Sequence, residues 1–141
     1  MLSTAERLRE QKLKVTPQRL AIFHMLSHTT THPSAEKIYN SLHDTHPTMS
    51  LATVYKTLDT LVKASLIQQI NVGEDSFRYD ATATPHPHII CTCCHQVHDL
   101  IGQDLSSMRT AVQASTNFKL THEQLYFYGV CPECQAHQQA Q

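Results

Sequence analysis

The sequence predicts an α+β protein in which an N-terminal winged helix-turn-helix domain is followed by a small α/β domain carrying a structural four-cysteine zinc site. Three observations predict it. The first half holds four capped segments with helical apolar spacing, two strand-like runs follow them, and the second half contains a matched pair of Cys-x-x-Cys motifs.

Caps and periodicity place the helices. The first runs from about Ser3 to Gln11, with Ala5 and Leu8 on one face. The second opens at Thr16-Pro17, a capping hydroxyl followed by the proline favoured at the first helical position, and turns Leu20, Phe23 and Leu26 inward. The third starts after His32-Pro33 with Ser34 as its cap. Its apolar stripe is Ala35, Ile38, Tyr39 and Leu42, and it is expected to end near His46-Pro47. The fourth is capped by Ser50 and buries Leu51, Val54, Leu58, Leu61 and Val62, leaving Ala52, Thr53, Tyr55, Lys56, Asp59 and Lys63 outside. Runs at Leu66 to Val72 and Phe77 to Asp80, joined by Gly73-Glu74-Asp75-Ser76, predict a hairpin. Three helices, a reading helix and a two-stranded wing in this order make a winged helix, whose helix from Ser50 would enter the major groove of DNA.

The segment Ala81-Thr82-Ala83-Thr84-Pro85 is apolar-poor and ends in proline, so a hinge is predicted at 81–85 between domains at 1–80 and 86–141. Beyond it the pattern predicts a strand at His88 to Cys91 and another around Val97 to Ile101. A helix from about Asp104 to Ser115 follows, with Leu105, Met108 and Val112 buried, and then a strand from Phe118 to Val130. The polar tail from Gln135 to Gln141 is expected to fray.

The 141 residues suffice for one ordinary domain or two small ones, and a small second domain buries too thin a core to stand without a staple or a partner. The charged N-terminus lacks the apolar run of a signal peptide, and no stretch is apolar enough to span a membrane, so a cytoplasmic location is expected. Net charge is −1, but it is unevenly spread: Lys and Arg outnumber Asp and Glu in residues 1 to 70, densest at Arg7, Arg9, Lys12, Lys14 and Arg19, while the last 61 residues carry only Arg109 and Lys119 as basic residues. A short basic run is usually a solvated helix face. It counts toward nucleic acid only beside a reading helix.

Cys91-Thr92-Cys93-Cys94 and Cys131-Pro132-Glu133-Cys134 are two knuckles of the kind that deliver four thiolates tetrahedrally to one zinc ion. A closed site of four thiolates leaves no position for chemistry, so its role is folding. Cys93 competes with Cys94 as a ligand, and the usual spacing favours Cys94. A redox dithiol or a disulfide pair is the competing reading; two matched knuckles in a reducing compartment favour zinc.

A second constellation involves histidine and aspartate. His86 and His88 alternate along a strand and so share a face, with Asp80 and Asp99 flanking them and His32 just before the third helix. A metal held by His32, Asp80, His86, His88 and Asp99 would tie the two halves together, a route from metal binding to DNA binding. Spacing alone supports only the His-x-His pair, since a histidine beside proline is commonly a turn residue and an aspartate at a strand end is commonly solvated.

Along essentially its whole length the chain resembles the ferric uptake regulator family. The resemblance rests on Val15-Thr16-Pro17-Gln18-Arg19, His32-Pro33-Ser34-Ala35, Ser50-Leu51-Ala52-Thr53-Val54-Tyr55, Phe77-Arg78-Tyr79-Asp80, His86-Pro87-His88-Ile89-Ile90-Cys91 and Tyr128-Gly129-Val130-Cys131-Pro132-Glu133-Cys134. It implies a homodimer whose second domain is the dimerisation domain, binding palindromic double-stranded operators when its regulatory site is metallated. It also places His32, Asp80, His86, His88 and Asp99 on the regulatory iron or manganese ligands, and Cys91, Cys94, Cys131 and Cys134 on the structural zinc. Aspartate at both position 80 and position 99 is similar to the peroxide-sensing branch, in which oxidation falls on the residues matching His32 and His86. A third metal site is not implied, because Pro85 and Pro87 flank the histidine pair. His95 replaces a common glycine, and His98 adds an imaginable further ligand beside Asp99.

Taken together, the sequence predicts a non-enzymatic, metal-dependent repressor that senses hydrogen peroxide. The alternative is a metal-uptake repressor of the same family responding to iron, manganese or zinc. A thiol oxidoreductase would need a thioredoxin-like βαβ pattern around one dithiol, and a metal-storage protein has no use for a capped reading helix with a basic arm. In the DNA-binding reading, Thr53 and Tyr55 touch bases or adjacent backbone from the helix that Ser50 begins, while Lys14, Arg19 and Lys56 neutralise phosphates.

Overall fold

The computed structural model describes residues 2–73, 75–81, 86–100, 102 and 104–139. The chain divides into two compact units, Met1–Ala83 and Thr84–Gln141. None of its described helices is long and apolar enough to cross a membrane.

Four helices open the first unit: α1 (Thr4–Glu10), α2 (Pro17–Ser27), α3 (Ala35–Leu42) and α4 (Leu51–Lys63). The last three begin at the predicted caps and α1 at Ser3, and the hydroxyls of Ser3, Thr16, Ser34 and Ser50 accept the backbone N–H of Glu6, Arg19, Lys37 and Thr53. One otherwise orphaned donor per helix is satisfied this way, worth about 1 kcal/mol. Strands β1 (Gln68–Gly73) and β2 (Ser76–Asp80) pair antiparallel as the wing, with Gln68 opposite Asp80 and Asn71 opposite Phe77. Leu8, Ile22, Phe23, Leu26, Ile38, Val54, Leu58 and Leu61 are almost entirely buried and pack with Leu66, Ile67 and Tyr79 into one core. This unit is a winged helix-turn-helix.

Several boundaries depart from expectation. Helix α3 ends at Leu42 rather than near His46, and residues 43–45 form a turn closed by the His46 N–H on the Leu42 carbonyl at 2.8 Å. On α4 the buried face includes Thr57, while Leu51 and Val62 are only partly covered. Ala81, expected in the hinge, is buried against the core; the remaining hinge residues 82–85, and the turn residue Glu74, lie outside the described residues.

In the second unit a three-stranded sheet runs β4-β3-β5, with β3 (His88–Cys91) antiparallel to β4 (Val97–Asp99) and parallel to β5 (Tyr126–Gly129). Helices α5 (Ser106–Ala114) and α6 (Pro132–Gln139) complete it. Strand β5 is far shorter than the predicted Phe118 to Val130, because side chains of α5 occupy the backbone of the preceding segment. Gln113 Oε1 accepts the Leu120 N–H at 3.0 Å, Arg109 donates to the Leu120 carbonyl at 3.5 Å, and Arg109 pairs with Glu123. The tail does not fray where expected. Residues through Gln139 are helical, since α6 starts inside the second cysteine knuckle and Gln135 anchors it to the carbonyls of Cys131 and Val130 at 2.9 and 2.7 Å. Ile101, the predicted end of the β4 run, and residues 140–141 lie outside the described residues.

The expected burial of α5 is not found within one chain. Met108 and Val112 are 53 % and 44 % exposed, Leu105 is half-buried, and no α5 side chain is buried. The amphipathic pattern correctly marks an apolar face, but a pattern does not say whether the chain itself covers that face.

The core reading makes a direct prediction. Leu58→Ala, at a fully buried position, should destabilise the first unit by about 2–5 kcal/mol, seen as an earlier urea midpoint in far-ultraviolet circular dichroism. An unchanged midpoint would contradict the packing described.

Candidate metal centres and nucleic-acid interface

Parallel pairing determines where the two cysteine knuckles meet. Strands β3 and β5 run in register with Cys91 beside Gly129, so both end at the same edge of the sheet, and a Cys-x-x-Cys turn leaves each end. Thr92 binds across this edge, its N–H and hydroxyl both donating to the Gly129 carbonyl at 2.8 and 3.3 Å. The first turn is closed by the His95 N–H on the Cys91 carbonyl at 2.9 Å. His95 adopts φ +64°, the left-handed conformation that glycine takes at least cost, which gives the physical reason for a glycine preference there. In the second turn Cys131 immediately precedes α6 and Cys134 lies in its first turn.

The sulfurs of Cys91, Cys94, Cys131 and Cys134 all lie within 4.8 Å of one another, with Cys94 and Cys131 at 3.8 Å. A zinc ion bound tetrahedrally at Zn–S distances of about 2.3 Å separates its sulfurs by about 3.8 Å, so the four residues fit that ion. Cys93 is outside the cluster. It is exposed, and its sulfur accepts a hydrogen bond from Gln138 Nε2 at 3.4 Å. Backbone N–H groups, that of Cys131 foremost and then that of Cys94, point at the Cys91 sulfur and hold its thiol down at about 5. The Cys134 thiol is pushed up, first by the neighbouring Cys131 sulfur and then by burial. Four thiolates crowd together only when a cation offsets their repulsion, which couples metal capture to proton release.

Each unit contributes histidine and aspartate donors. In the first unit His32 and Asp80 are both buried, with Nε2 3.4 Å from Oδ2. The wing holds His32 in place: Arg78 donates to its carbonyl at 3.0 Å, and the Tyr79 N–H donates to the carbonyl of Pro33 at 3.1 Å. These bonds stabilise a backbone conformation at φ +53° that a residue with a Cβ seldom adopts unaided.

In the second unit β3 and β4 place His88 opposite Asp99. Asp99 Oδ1 lies 2.9 Å from His86 Nε2 and 3.2 Å from His88 Nε2, and the two imidazole rings are 4.4 Å apart. His86 and His88 thus share a face, as their alternation implies. His98, one residue before Asp99 on β4, is exposed and lines a cavity of about 140 Å³ with Ile89, Gly129 and Pro132. Strand alternation therefore turns it away from the His86/His88/Asp99 set. Both sets offer imidazole nitrogen and carboxylate oxygen in sheltered positions, a donor chemistry suited to iron(II) or manganese(II).

Of the residues assigned to DNA, Ser50 caps α4 and Thr53 sits in its first turn. The Ser50 hydroxyl accepts the Thr53 N–H at 3.1 Å and lies 3.0 Å from the Thr53 hydroxyl. Tyr55 is 44 % exposed, and its hydroxyl donates to the carboxylate of Glu36 on α3. Lys56 is exposed one residue further on. Lys14 is exposed before α2, and its carbonyl accepts from the Arg19 guanidinium at 2.8 Å. Glu36, Arg78 and Tyr79 escaped the sequence reading as residues shaping these sites, since each acts through a partner distant in sequence.

A sequence profile of the ferric uptake regulator family matches residues 10–128. The transcriptional regulator PerR of Clostridium acetobutylicum is 48 % identical over 126 residues, covering 89 % of this chain and 91 % of that protein. The peroxide-responsive repressor PerR of Staphylococcus aureus is 36 % identical over 128 residues, covering 91 % and 86 %. Among solved structures, the ferric uptake regulator of Pseudomonas aeruginosa with manganese superposes with a TM-score of 0.77 at 27 % identity, covering 94 % of this chain and 99 % of that one. PerR of Streptococcus pyogenes gives a TM-score of 0.53 at 33 % identity, covering 95 % of each. With the profile spanning most of its length and a relative near half identical, the chain belongs to the ferric uptake regulator family.

Proposed function

We propose that the protein is a homodimeric, metal-dependent transcriptional repressor that binds a palindromic DNA operator and senses hydrogen peroxide by oxidation of its own histidines. The observation that carries this reading is the donor set. Two groups of buried or half-buried imidazoles and carboxylates, His32 with Asp80 and His86 with His88 and Asp99, offer no thiolate, in a chain whose relatives include peroxide-responsive repressors.

The five residues serve as ligands of one iron(II) or manganese(II), while Cys91, Cys94, Cys131 and Cys134 hold a zinc that is not exchanged in regulation. Thiolates suit zinc, and nitrogen and oxygen donors suit the harder ions. The zinc closes a unit whose own buried apolar set is small. The exposed Met108, Val112, Phe118, Phe127 and Tyr128 supply the apolar surface that a second copy would cover.

Iron(II) held by these ligands would supply one electron to hydrogen peroxide and recover it from the oxidised ring, a cycle that manganese(II) does not readily enter. His32 and His86 hold their rings at the ligand positions, where an imidazole carbon takes up one oxygen in place of its hydrogen while peroxide is reduced to water. The altered rings lose basicity and donor geometry. Ligation then fails, and α4 is released from its DNA-binding arrangement.

On the DNA side, Thr53 and Tyr55 read from α4, Ser50 fixes the start of that helix, and Lys14, Arg19 and Lys56 face phosphates. Alanine at Lys14, Arg19 or Lys56 should each reduce the salt dependence of operator binding by about one counterion while weakening all sequences alike. An unchanged slope in all three variants would remove these residues from the interface.

Cys134→Ser should give protein lacking zinc by elemental analysis and eluting as monomer or aggregate. A folded, dimeric, zinc-free variant would refute the staple. Iron-loaded protein treated with stoichiometric peroxide should gain one oxygen on the His32 or His86 peptide by mass spectrometry and lose operator binding, with the manganese form unaffected. Oxidised cysteines with intact histidines would point to a thiol switch, and undiminished DNA binding to a metal-uptake repressor.

A further inference from the structure

Glu36 takes no part in the metal or DNA contacts proposed above, although it is an acidic side chain of α3 bonded to the outer face of the reading helix. Its position in the chain is notable for what lies on either side. Upstream, four residues away, His32 carries its imidazole to Asp80; Pro33 is bonded to β2 through Tyr79, and Ser34 caps α3 through the Lys37 N–H. Glu36 follows in the first turn of α3, so its Cα position is set by the same short, doubly anchored segment that sets His32. Across from it, Tyr55 projects from α4 and donates its hydroxyl to the Glu36 carboxylate.

We propose that Glu36 is a specificity-determining positioning residue, which fixes the ring of Tyr55 for base reading and carries the placement of the His32 segment to the reading helix. This inference rests on the reading of α4 as the DNA-recognition helix. All of its parts lie in the first unit.

Three physical arguments support it. An exposed tyrosine hinged only at its own Cβ samples several rotamers and loses that freedom on binding; a hydroxyl tied to a neighbouring helix has lost it beforehand, so less is lost at the interface. The bond is charge-assisted, and the two groups shift in opposite senses: the Tyr55 hydroxyl holds Glu36 below the ordinary carboxylate range, and the same bond raises Tyr55. A carboxylate beside a DNA-reading face also repels phosphate without regard to sequence. It therefore lowers non-specific affinity while the tyrosine it holds favours the correct site, which widens the difference between the two.

The space around the pair fits this role. Glu36 and Tyr55 line a cavity of about 270 Å³ with Ala35, Asp75, Ser76, Phe77 and Tyr79, so the pair stands between the start of α3, the outer face of α4 and the wing. Tyr79 is buried there, with its hydroxyl accepting from Gln69 Nε2 at 3.2 Å, and it carries the N–H that binds Pro33. A shift of the His32–Pro33 segment would thus be felt at the Glu36 end of the pair, and through it at Tyr55.

The test measures binding of zinc-replete, manganese-loaded protein to an operator selected from random sequence by the wild type, and to an unrelated duplex. Glu36→Ala should lower the ratio of operator to non-specific affinity by about three- to tenfold, the scale of ordering one side chain. Glu36→Gln, which keeps an acceptor for the Tyr55 hydroxyl but removes the charge, should restore operator affinity while strengthening non-specific binding. Tyr55→Phe, which keeps the carboxylate, should lose operator affinity as Glu36→Ala does but without the rise in non-specific binding, and the double variant should lose no more operator affinity than either single one, because both break the same bond. Thermal midpoints should stay at the wild-type value, since both side chains are exposed. Additive losses, or an unchanged affinity ratio in Glu36→Ala, overturn the proposal while leaving the repressor reading intact. A wild type that selects no operator overturns both.

Discussion

The parallel pairing of β3 with β5 is the constraint on which the second half of the molecule depends. It brings the ends of two strands separated by more than thirty residues to one edge of the sheet, and each strand continues directly into a cysteine turn. Without that pairing the four sulfurs have no reason to converge, and without a cation at the sulfurs little else holds the edge. The buried residues described in this unit are Pro87, His88, Ile90, Cys91 and Val97, a set too small to offset the ordering of so many residues. The same strand carries His88 at its start and Cys91 at its end. A stapled β3 is therefore also what presents His88, with Asp99 beside it, in a defined position. The sulfur cluster and the proposed regulatory donors thus share one strand, and they differ in kind.

In the first unit the wing has an analogous task. Its second strand ends in Asp80, and the two residues before it, Arg78 and Tyr79, bind the carbonyls of His32 and Pro33. The hairpin is at once the wing of the winged helix and the scaffold that holds a strained histidine against its aspartate. Strain of this sort is sustained only where several bonds over-determine the backbone.

What could be read from the sequence follows the reach of each interaction. The caps Thr16, Ser34 and Ser50 were legible because a cap acts on an amide three residues away. The cysteine pairs were legible because two ligands from one turn impose a fixed local spacing. The true length of β5 and the helix through Gln139 were not, since both are decided by side chains of Arg109, Gln113 and Gln135 bonding to distant or non-repeating backbone. The exposed face of α5 was half legible: periodicity marks Met108 and Val112 as one stripe and says nothing of what covers it. His32 and Asp80 are 48 positions apart, and no spacing rule joins them; resemblance to a family did. The Glu36 and Tyr55 pair, nineteen residues apart on two helices, left no signal in the sequence at all.

The central claim is that one chain holds two chemically distinct sites, a sulfur cluster for a permanent zinc and a nitrogen and oxygen set for an exchangeable ion. X-ray absorption at the zinc and manganese edges of protein loaded with one equivalent of each metal tests it most directly. The account predicts a zinc shell of four sulfurs at about 2.3 Å, and a manganese shell of nitrogen and oxygen alone. Sulfur around manganese, or imidazole in place of sulfur around zinc, would contradict it.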